Sequence, residues 1–175
     1  MSAEEVELFE TFDDQGRSLG LVPRPEVHRR GLLHRAAHVL VFRSNGALLV
    51  QRRAPDKDLY PDLLDFSVGE HLRPGESFEE GALRGLHEEL GVSGIPVESY
   101  GKRFLLEHID EGNGVHDREE TVVFKAVYDG PVKADPAEVA EVLEMRPDEL
   151  RREVRANPDR FTEWFVADLT ALAIV

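Results

Sequence analysis

The chain has 175 residues, 41% hydrophobic and 32% charged, a composition typical of one folded domain and not of a disordered chain. It contains no cysteine, which excludes disulfides, thiol nucleophiles and thiolate metal sites. The net charge of −14 argues against a nucleic-acid polymer as partner. No apolar run approaches the ~20 residues of a membrane span, and the acidic residues 1–10 lack the basic start of a signal peptide. A cytoplasmic protein without a membrane partner is therefore expected.

Short β-rich runs lie on both sides of one central helical segment. This pattern predicts an α/β fold, more specifically an α+β arrangement in which a mixed sheet is sandwiched by helices. Asn45-Gly46 between two apolar runs is a strong hairpin signal. The predicted strands are residues 6–12, 18–22, 36–42, 47–51, 64–68, 98–108, 120–128 and 142–145. The predicted helices are residues 25–28, 78–90, 148–155 and 160–173, and the main predicted loops are 54–62 and the acidic 110–117.

Residues 1–175 are interpreted as a single domain, because no repeat or low-complexity tract divides them. A hairpin extension is expected over about residues 1–30, and C-terminal helices over about residues 147–174. The segment 69–92 is expected to be a loop followed by a helix, and it is the part of the chain that carries most of the chemistry.

The helix over residues 78–90 has clear boundaries, with Ser77 as its N-cap and Gly91 as its C′ residue. At about 100° per residue, one apolar stripe is formed by Ala82, Leu83, Leu86 and Leu90. Glu88 lies well off this stripe and Glu89 lies at its edge. A carboxylate at a core boundary needs a cation, an arginine or a proton to compensate it. The pair is suited to Mg²⁺ or Mn²⁺, which prefer oxygen ligands.

A Glu-Glu pair on a helix is more often a solvated face, but here it follows a loop with a particular spacing. Pro74-Gly75-Glu76 comes first, then Arg84, then Glu-Glu-Leu-Gly-Val. This segment resembles the Nudix box of the Nudix hydrolases. The residues that match the box are Glu76, Arg84, Leu86, Glu88, Glu89, Gly91 and Val92.

The resemblance implies the Nudix fold and a role for each matching residue. It implies that Glu88 and Glu89 ligate the metal and carry catalysis, with the carbonyl of Gly69 as a further ligand. It also implies that Glu76 and Arg84 form a structural ion pair.

Two positions depart from the box. Glu70 stands at its first glycine, and Gly85 stands where the family commonly has a metal-binding glutamate. Gly85 projects from the same side of the helix as Glu89. Three interpretations stay open: another acid, either Glu70 or one from the 110–120 stretch, replaces the ligand; the site uses fewer metals; or the domain is a phosphate-binding or structural relic.

Beyond the box, the chain resembles the branch that contains isopentenyl-diphosphate isomerase and related bacterial hydrolases. The resembling segments are residues 28–36, 48–53, 60–61 and 161–165. The resemblance implies a candidate second metal site of His28, His34 and His71, although histidines more often bridge backbone groups at a core edge. The isomerase uses a cysteine just before the box. This chain has Phe66-Ser67-Val68-Gly69 there, which disfavours isomerase chemistry.

Residues 28–57 contain seven basic residues and one acid in an otherwise acidic chain. These charges are either solvated on edge strands or form an anion-attracting wall opposite the acidic helix. In the second interpretation Arg52, Arg53 and Lys57 bind the phosphates of the substrate.

Together these features predict a Mg²⁺- or Mn²⁺-dependent pyrophosphohydrolase. The expected partner is a small-molecule diphosphate, either a nucleoside diphosphate derivative or a related organic diphosphate. Glu88 or an acid of the 110–120 stretch would orient the attacking water. The alternatives are a non-catalytic module that binds a phosphorylated ligand or a partner protein and, least favoured, an isomerase. A homodimer is a further open expectation.

Overall fold

The structure, a computed structural model, describes residues 6–57 and 59–175 of the chain. The strands are β1 (Leu8–Phe12), β2 (Ser18–Pro23), β3 (His34–Phe42), β4 (Leu48–Arg53), β5 (Leu64–Asp65), β6 (Val68–His71), β7 (Glu98–Asp110), β8 (Val115–Val127) and β9 (Val139–Met145). The helices are α1 (Arg24–Arg30), α2 (Phe78–Leu90), α3 (Pro147–Ala156) and α4 (Glu163–Ala171), with a 3-10 turn at Pro158–Arg160. No helix in these two described ranges is long and apolar enough to cross a membrane.

A mixed sheet, seven-stranded within the described residues, positions the site. Its main path is β5-β4-β3-β8-β7, while β6 also pairs with β3 and β9 with β4. Strands β3 and β8 run parallel, with His34 opposite Glu119. On its other side β3 pairs with β6, which places Gly69 opposite His38 and His71 opposite Ala36. The long-range pairing of β3 thus brings three distant parts of the chain to one end of the sheet.

Each face of the sheet is covered by helices. On one face, Val39 and Val41 of β3 pack in a buried cluster with Leu86 and Leu90 of α2. On the other face, Leu40 packs in a cluster that is completed by α3 and α4 through Leu150, Phe165 and Leu169. The alternation of β3 side chains follows from the two-residue period of a strand. The predicted mixed sheet sandwiched by helices is confirmed.

Local interactions fix both ends of α2. The Ser77 hydroxyl accepts the Glu80 N–H at 3.2 Å, while the Glu80 carboxylate accepts the Ser77 N–H at 2.8 Å. Gly91 adopts a left-handed conformation with φ 66° and ends the helix. The predicted boundaries are therefore confirmed. The predicted stripe shifts slightly, since Leu83 is 37% exposed while Gly85 and Glu89 are buried.

The predicted loop over residues 110–117 is wrong. Strands β7 and β8 form one long antiparallel hairpin that reaches Asp110 and Val115, which leaves only a tight turn between them. The loop was predicted because the acidic residues at the start of β8 are typical of solvated loops. In the fold, Asp117 and Glu119 are buried because they face histidines. The predicted strand 64–68 is also divided, into β5 and β6.

The N-terminal hairpin β1–β2 forms a separate two-stranded sheet. The Phe12 N–H donates to the Leu33 carbonyl at 2.8 Å and joins the hairpin to the start of β3. The Phe9 ring lies 5.0 Å from the His34 ring and 4.6 Å from the His71 ring, measured between centroids. The hairpin therefore covers the histidines. Residues 1–5 of the predicted extension lie outside the described residues.

An arginine on α2 fixes the loop between β6 and α2. The Arg84 guanidinium donates to both carboxylate oxygens of Glu76, at 2.8 and 2.7 Å, and to the His71 carbonyl at 2.8 Å. The Glu76 carboxylate also accepts the Arg73 N–H at 2.8 Å. Burial alone would raise the pKa of Glu76, but the hydrogen bonds from Arg84 and Arg73 outweigh it and lower that pKa.

We expect Glu76→Gln to lower the free energy of unfolding by roughly 1–3 kcal/mol at pH 7, since charge-assisted hydrogen bonds to Arg84 are lost. A carboxylate with a lowered pKa in the folded state adds stability above its ordinary pKa of 4.5, and this stability is lost as the pH falls below that value. The deficit of the variant should therefore be largest near neutral pH and shrink in acid. Urea unfolding at pH 7 and pH 4, with the exposed Glu98→Gln as control, measures it; a deficit independent of pH contradicts the prediction.

Candidate functional site

A cavity of about 410 Å³ lies beside α2, β6 and the end of β4. Its walls carry charges of both signs. The acidic residues that line it are Glu7, Glu70, Glu88, Glu89, Asp135 and Glu138. The basic residues are Arg24, Arg53, Lys57, Arg73 and Arg84. Carboxylate oxygens suit a hard divalent cation and the guanidinium groups suit phosphate, so the cavity is complementary to a phosphate ligand with its metal.

Glu89 is the buried carboxylate of this cavity. It is 5% exposed, and one of its oxygens accepts a hydrogen bond from the Gln51 side-chain amide at 3.1 Å. Burial is the main cause that raises the pKa of Glu89 well above its ordinary value, and the carboxylates of Glu70 and Glu138 raise it further. A buried carboxylate beside other carboxylates is costly unless a cation compensates it. The position of Glu89 therefore fits a metal ligand.

Glu88 lies at the rim of the same cavity. Its side chain is 41% exposed and accepts hydrogen bonds from Arg73 at 3.1 Å and from Arg84 at 3.1 Å. Two arginines thus fix the direction of a carboxylate that still faces solvent. Gly69 lines the cavity one residue before Glu70, at the place where the resemblance expects a carbonyl ligand.

The structure brings Arg53 and Lys57 to the cavity but not Arg52. Side chains of β4 alternate, so Gln51 and Arg53 point to the cavity and Arg52 points away from it. Arg52 instead binds Glu141 at 3.3 Å and Asp62 at 3.1 Å. The expectation that Arg52 binds phosphate is not supported by its placement.

Arg53 is oriented by a buried acid. Its guanidinium donates to Asp65 at 3.1 Å and to the Leu59 carbonyl at 3.1 Å. Asp65 is 2% exposed and also accepts hydrogen bonds from the Thr162 hydroxyl at 2.8 Å and the Trp164 indole at 3.0 Å. Asp65 is therefore a fixed ion-pair partner that orients the Arg53 guanidinium. Lys57 is ion-paired with Glu138, which lines the same cavity.

The rest of the predicted basic wall does not form. Arg30, Arg35 and Arg43 are paired with acids at 2.6 to 2.8 Å and are not among the residues that line this cavity. The cavity gains two cations that the sequence reasoning missed, Arg24 and Arg73. No sequence signal marked either of them, because their approach depends on how the hairpin and the box loop fold over the sheet.

A second cluster of ligand-type atoms lies beside the first cavity. Donor atoms of His28, His34 and His71 lie within 4.8 Å of one another, as predicted for a candidate metal site. Asp117 and Glu119 of β8 complete the cluster. The His71 Nε2 lies 2.9 Å from Glu119 Oε1, and the His34 Nε2 lies 3.5 Å from both carboxylates.

The Nε2 atoms of the rings face these carboxylates, and the His71 Nε2–H donates to Glu119 at 2.9 Å. His34 Nδ1 lies 3.1 Å from the Leu32 carbonyl and donates to it, so its Nε2 carries a lone pair in the neutral ring. His28 Nε2 and His34 Nε2 have no hydrogen-bond partner among the described residues. Burial lowers the pKa of His28 to about 3 and keeps its ring neutral. Imidazole nitrogens and carboxylates that face one another in this way fit a transition-metal ion.

Asp117 and Glu119 were expected only as part of an acidic loop that could serve the box. The structure places them at the histidines instead. Glu120 points to the other face of β8, where it accepts a hydrogen bond from Arg35 at 2.7 Å. The available signal was the spacing of Asp117 and Glu119, since acids two residues apart share one face of a strand.

The two sites are contiguous. A small cavity of about 50 Å³ beside the histidine cluster is lined by His28, Asp117 and Glu119. It shares lining residues with the larger cavity, namely Arg24, Arg53, Gly69, Glu70 and His71. A ligand in the larger cavity would therefore be adjacent to the histidine cluster.

Known proteins share this sequence and this fold. The NUDIX domain family matches residues 32–165. An uncharacterised Nudix hydrolase of Pseudomonas aeruginosa is 36% identical over 157 residues, which covers 90% of this chain and 89% of that protein. An isopentenyl-diphosphate Delta-isomerase of Nocardia farcinica is 36% identical over 156 residues, which covers 89% and 88% respectively.

A solved structure supports the fold independently. A crystal structure from Deinococcus radiodurans matches with a TM-score of 0.69 at 22% identity, and the match covers 86% of this chain and 90% of that one. The family match spans more than half of the chain and contains the complete box helix α2. The chain therefore belongs to the Nudix family, as an enzyme of the pyrophosphohydrolase type.

Proposed function

We propose that this enzyme hydrolyses a nucleoside diphosphate derivative or a related organic diphosphate with the help of Mg²⁺ or Mn²⁺. The observation that carries the proposal is the buried carboxylate of Glu89, which lines a cavity that Arg53 and Lys57 also line. A phosphate group in this cavity would meet both a metal and fixed cations.

Glu88, Glu89 and the carbonyl of Gly69 would hold the divalent ion, which would neutralise charge on phosphate oxygens and acidify the attacking water. Gln51 keeps the Glu89 carboxylate in place through its amide hydrogen bond. Arg73 and Arg84 fix Glu88 at the rim. Because Glu88 also faces solvent, it is the group that we assign to orient the attacking water and accept its proton.

The binding of phosphate is assigned to Arg53 and Lys57. Arg53 is held by Asp65 and the Leu59 carbonyl, so its guanidinium is already oriented before a ligand arrives. Lys57 is tied to Glu138 and can exchange that partner for a phosphate oxygen. Arg24 and Arg73 also line the cavity and add positive charge to it.

The histidine cluster is the candidate site of a second metal. His28, His34, His71, Asp117 and Glu119 supply three imidazoles and two carboxylates. This donor set suits ions such as Zn²⁺ or Mn²⁺ better than Mg²⁺. The shared lining residues of the two cavities would bring this ion close to the same substrate.

Isomerase chemistry is the second candidate, because some relatives are named isopentenyl-diphosphate Delta-isomerase. The local structure does not favour it. Ser67 is 1% exposed, donates to the Leu49 carbonyl and accepts the Val41 N–H at 2.8 Å, so its hydroxyl is used inside the sheet. Gly69 lines the cavity without a side chain. Neither position offers an acid or base in place of the cysteine.

The test of the hydrolase is a substrate panel. With Mg²⁺ or Mn²⁺, the purified protein should release phosphate-containing products from at least one nucleoside diphosphate derivative or organic diphosphate. Reaction in ¹⁸O-labelled water should label one phosphate product, whereas an isomerase would rearrange a prenyl diphosphate without taking up the label. No turnover on any compound, while metal binding is intact, would overturn the proposal in favour of a binding module.

Glu89→Gln keeps the shape of the side chain but removes the buried charge. We expect this variant to lose at least 100-fold in kcat/KM, about 2.7 kcal/mol of transition-state stabilisation. It should also lose the rise in melting temperature that Mg²⁺ produces in the unchanged protein. Glu98→Gln, which removes an exposed charge on β7 that does not line the cavity, is the matched control and should change neither measurement.

The second metal is tested by metal analysis of the purified protein after dialysis. We expect one transition-metal ion per chain, and we expect His28→Gln and His34→Gln each to lower that content strongly. His87→Gln is the control, because His87 is exposed and contacts only Ser93 at 3.0 Å among its hydrogen-bond partners in the described residues. Equal metal content in all four proteins would contradict the assignment.

A further inference from the structure

We propose that Glu70 supplies the carboxylate that Gly85 lacks, so that the box metal is bound by Glu70, Glu88 and Glu89. The proposal rests on the proposed function in so far as it concerns the same metal. It differs from the box pattern, in which position 70 is glycine and position 85 is the glutamate.

The two departures from the box are in contact with each other. Glu70 belongs to β6 and Gly85 to α2, fifteen positions apart in the sequence. A Cβ atom built on Gly85 would lie 2.9 Å from the Cβ and 3.4 Å from the Cγ of Glu70. The side chain of Glu70 therefore occupies the space that a side chain at position 85 would need.

This contact makes the two side chains mutually exclusive. A Cβ on Gly85 would also lie 2.6 Å from the Cγ1 of Val68, a buried residue on the same strand. Interiors are close-packed, so two glutamates could not be placed here without a shift of β6 or α2. A glutamate at position 70 thus requires a small residue at position 85. The two departures from the box are therefore explained together, as a glutamate that has moved from position 85 to position 70.

The Glu70 carboxylate is directed to the box cavity. Its side chain is 17% exposed and lines the cavity together with Glu88 and Glu89. Arg84 Nη1 contacts both Glu70 Oε2 at 3.0 Å and Glu88 Oε2 at 3.1 Å, so the same guanidinium group holds both carboxylates. Glu70 also adds to the negative potential at Glu89. Carboxylates from β6 and from α2 therefore line the same cavity.

The competing explanation is that Glu70 only forms an ion pair with Arg84. Arg84 already binds both oxygens of Glu76, so it can neutralise only part of the charge of Glu70, Glu76 and Glu88. A cation beside Glu70 and Glu89 would balance the remainder. Mg²⁺ affinity separates the two explanations. If Glu70 is a metal ligand, the affinity should fall when its carboxylate is removed and return when a carboxylate is placed at position 85. A purely structural ion pair with Arg84 does not predict that return.

The first experiment measures Mg²⁺ binding by calorimetry in the absence of substrate. Mg²⁺ takes oxygen ligands in preference to imidazoles, so it reports on the box rather than on the histidine cluster. We expect Glu70→Gln to weaken Mg²⁺ binding at least tenfold. Glu79→Gln, an exposed acid in the first turn of the same helix, has the same change of charge and should leave the affinity within about twofold of the unchanged protein.

The second experiment moves the carboxylate back to α2. Glu70→Gly alone should lose Mg²⁺ affinity, and Gly85→Glu alone should lower the melting temperature because of the contacts with Val68 and Glu70. The combined variant Val68→Ala, Glu70→Gly, Gly85→Glu removes both obstacles and should regain most of the lost affinity. Val68→Ala alone is the control for the loss of packing and should retain Mg²⁺ binding.

The results distinguish this inference from the proposed function. Unchanged Mg²⁺ affinity in Glu70→Gln overturns the role of Glu70, even if the enzyme hydrolyses diphosphates. Failure of the combined variant to regain affinity, when it is folded by circular dichroism, also overturns it. If Glu70→Gln loses affinity while the unchanged protein turns over no compound, the role of Glu70 stands and the hydrolase assignment falls.

Discussion

The guanidinium of Arg84 is the constraint on which the site depends. It lies on α2, is 13% exposed at its side chain, and contacts Glu76, Glu70 and Glu88 as well as the His71 carbonyl. One rigid planar group therefore ties the loop, the end of β6 and the helix face together. Without it, several carboxylates would repel one another in a half-buried space. The geometry of the cavity is thus a consequence of charge compensation as much as of apolar packing.

Strand β6 links the two sites. Its residues Gly69, Glu70 and His71 line both cavities, and His71 also reaches Glu119. β6 is only four residues long, and its position is set by pairing with β3 on one side and by contact with α2 on the other. The two sites therefore share one short stretch of backbone that is held on both sides. This arrangement gives a physical reason for treating the two candidate metal sites as parts of one active centre.

The sequence predicted most elements because their signals are local. The capping residue Ser77, the C-terminal Gly91 and the apolar face of α2 are properties of one helix; both ends were confirmed, and the apolar face was confirmed except for the exposed Leu83. The failures occurred where a charged residue is stabilised by a distant partner. Asp117 and Glu119 were assigned to a loop because buried acids cannot be recognised without the histidines that face them. The basic wall was one of two interpretations of a cluster of basic residues, and acids outside this cluster pair with Arg30, Arg35 and Arg43 instead.

The sequence by itself determined the family, the central helix and the choice of Glu88 and Glu89 as candidate metal ligands, because the spacing of the box is contained in one loop and one helix. Only the tertiary structure decided that Arg52 faces away and that Asp117 and Glu119 join the histidines. It also showed that Gly85 lies against Glu70. In the sequence this glycine is a missing ligand, fifteen positions from Glu70. In the fold the side chain of Glu70 fills the space that a side chain at position 85 would need, because strand pairing and helix packing bring the two positions together.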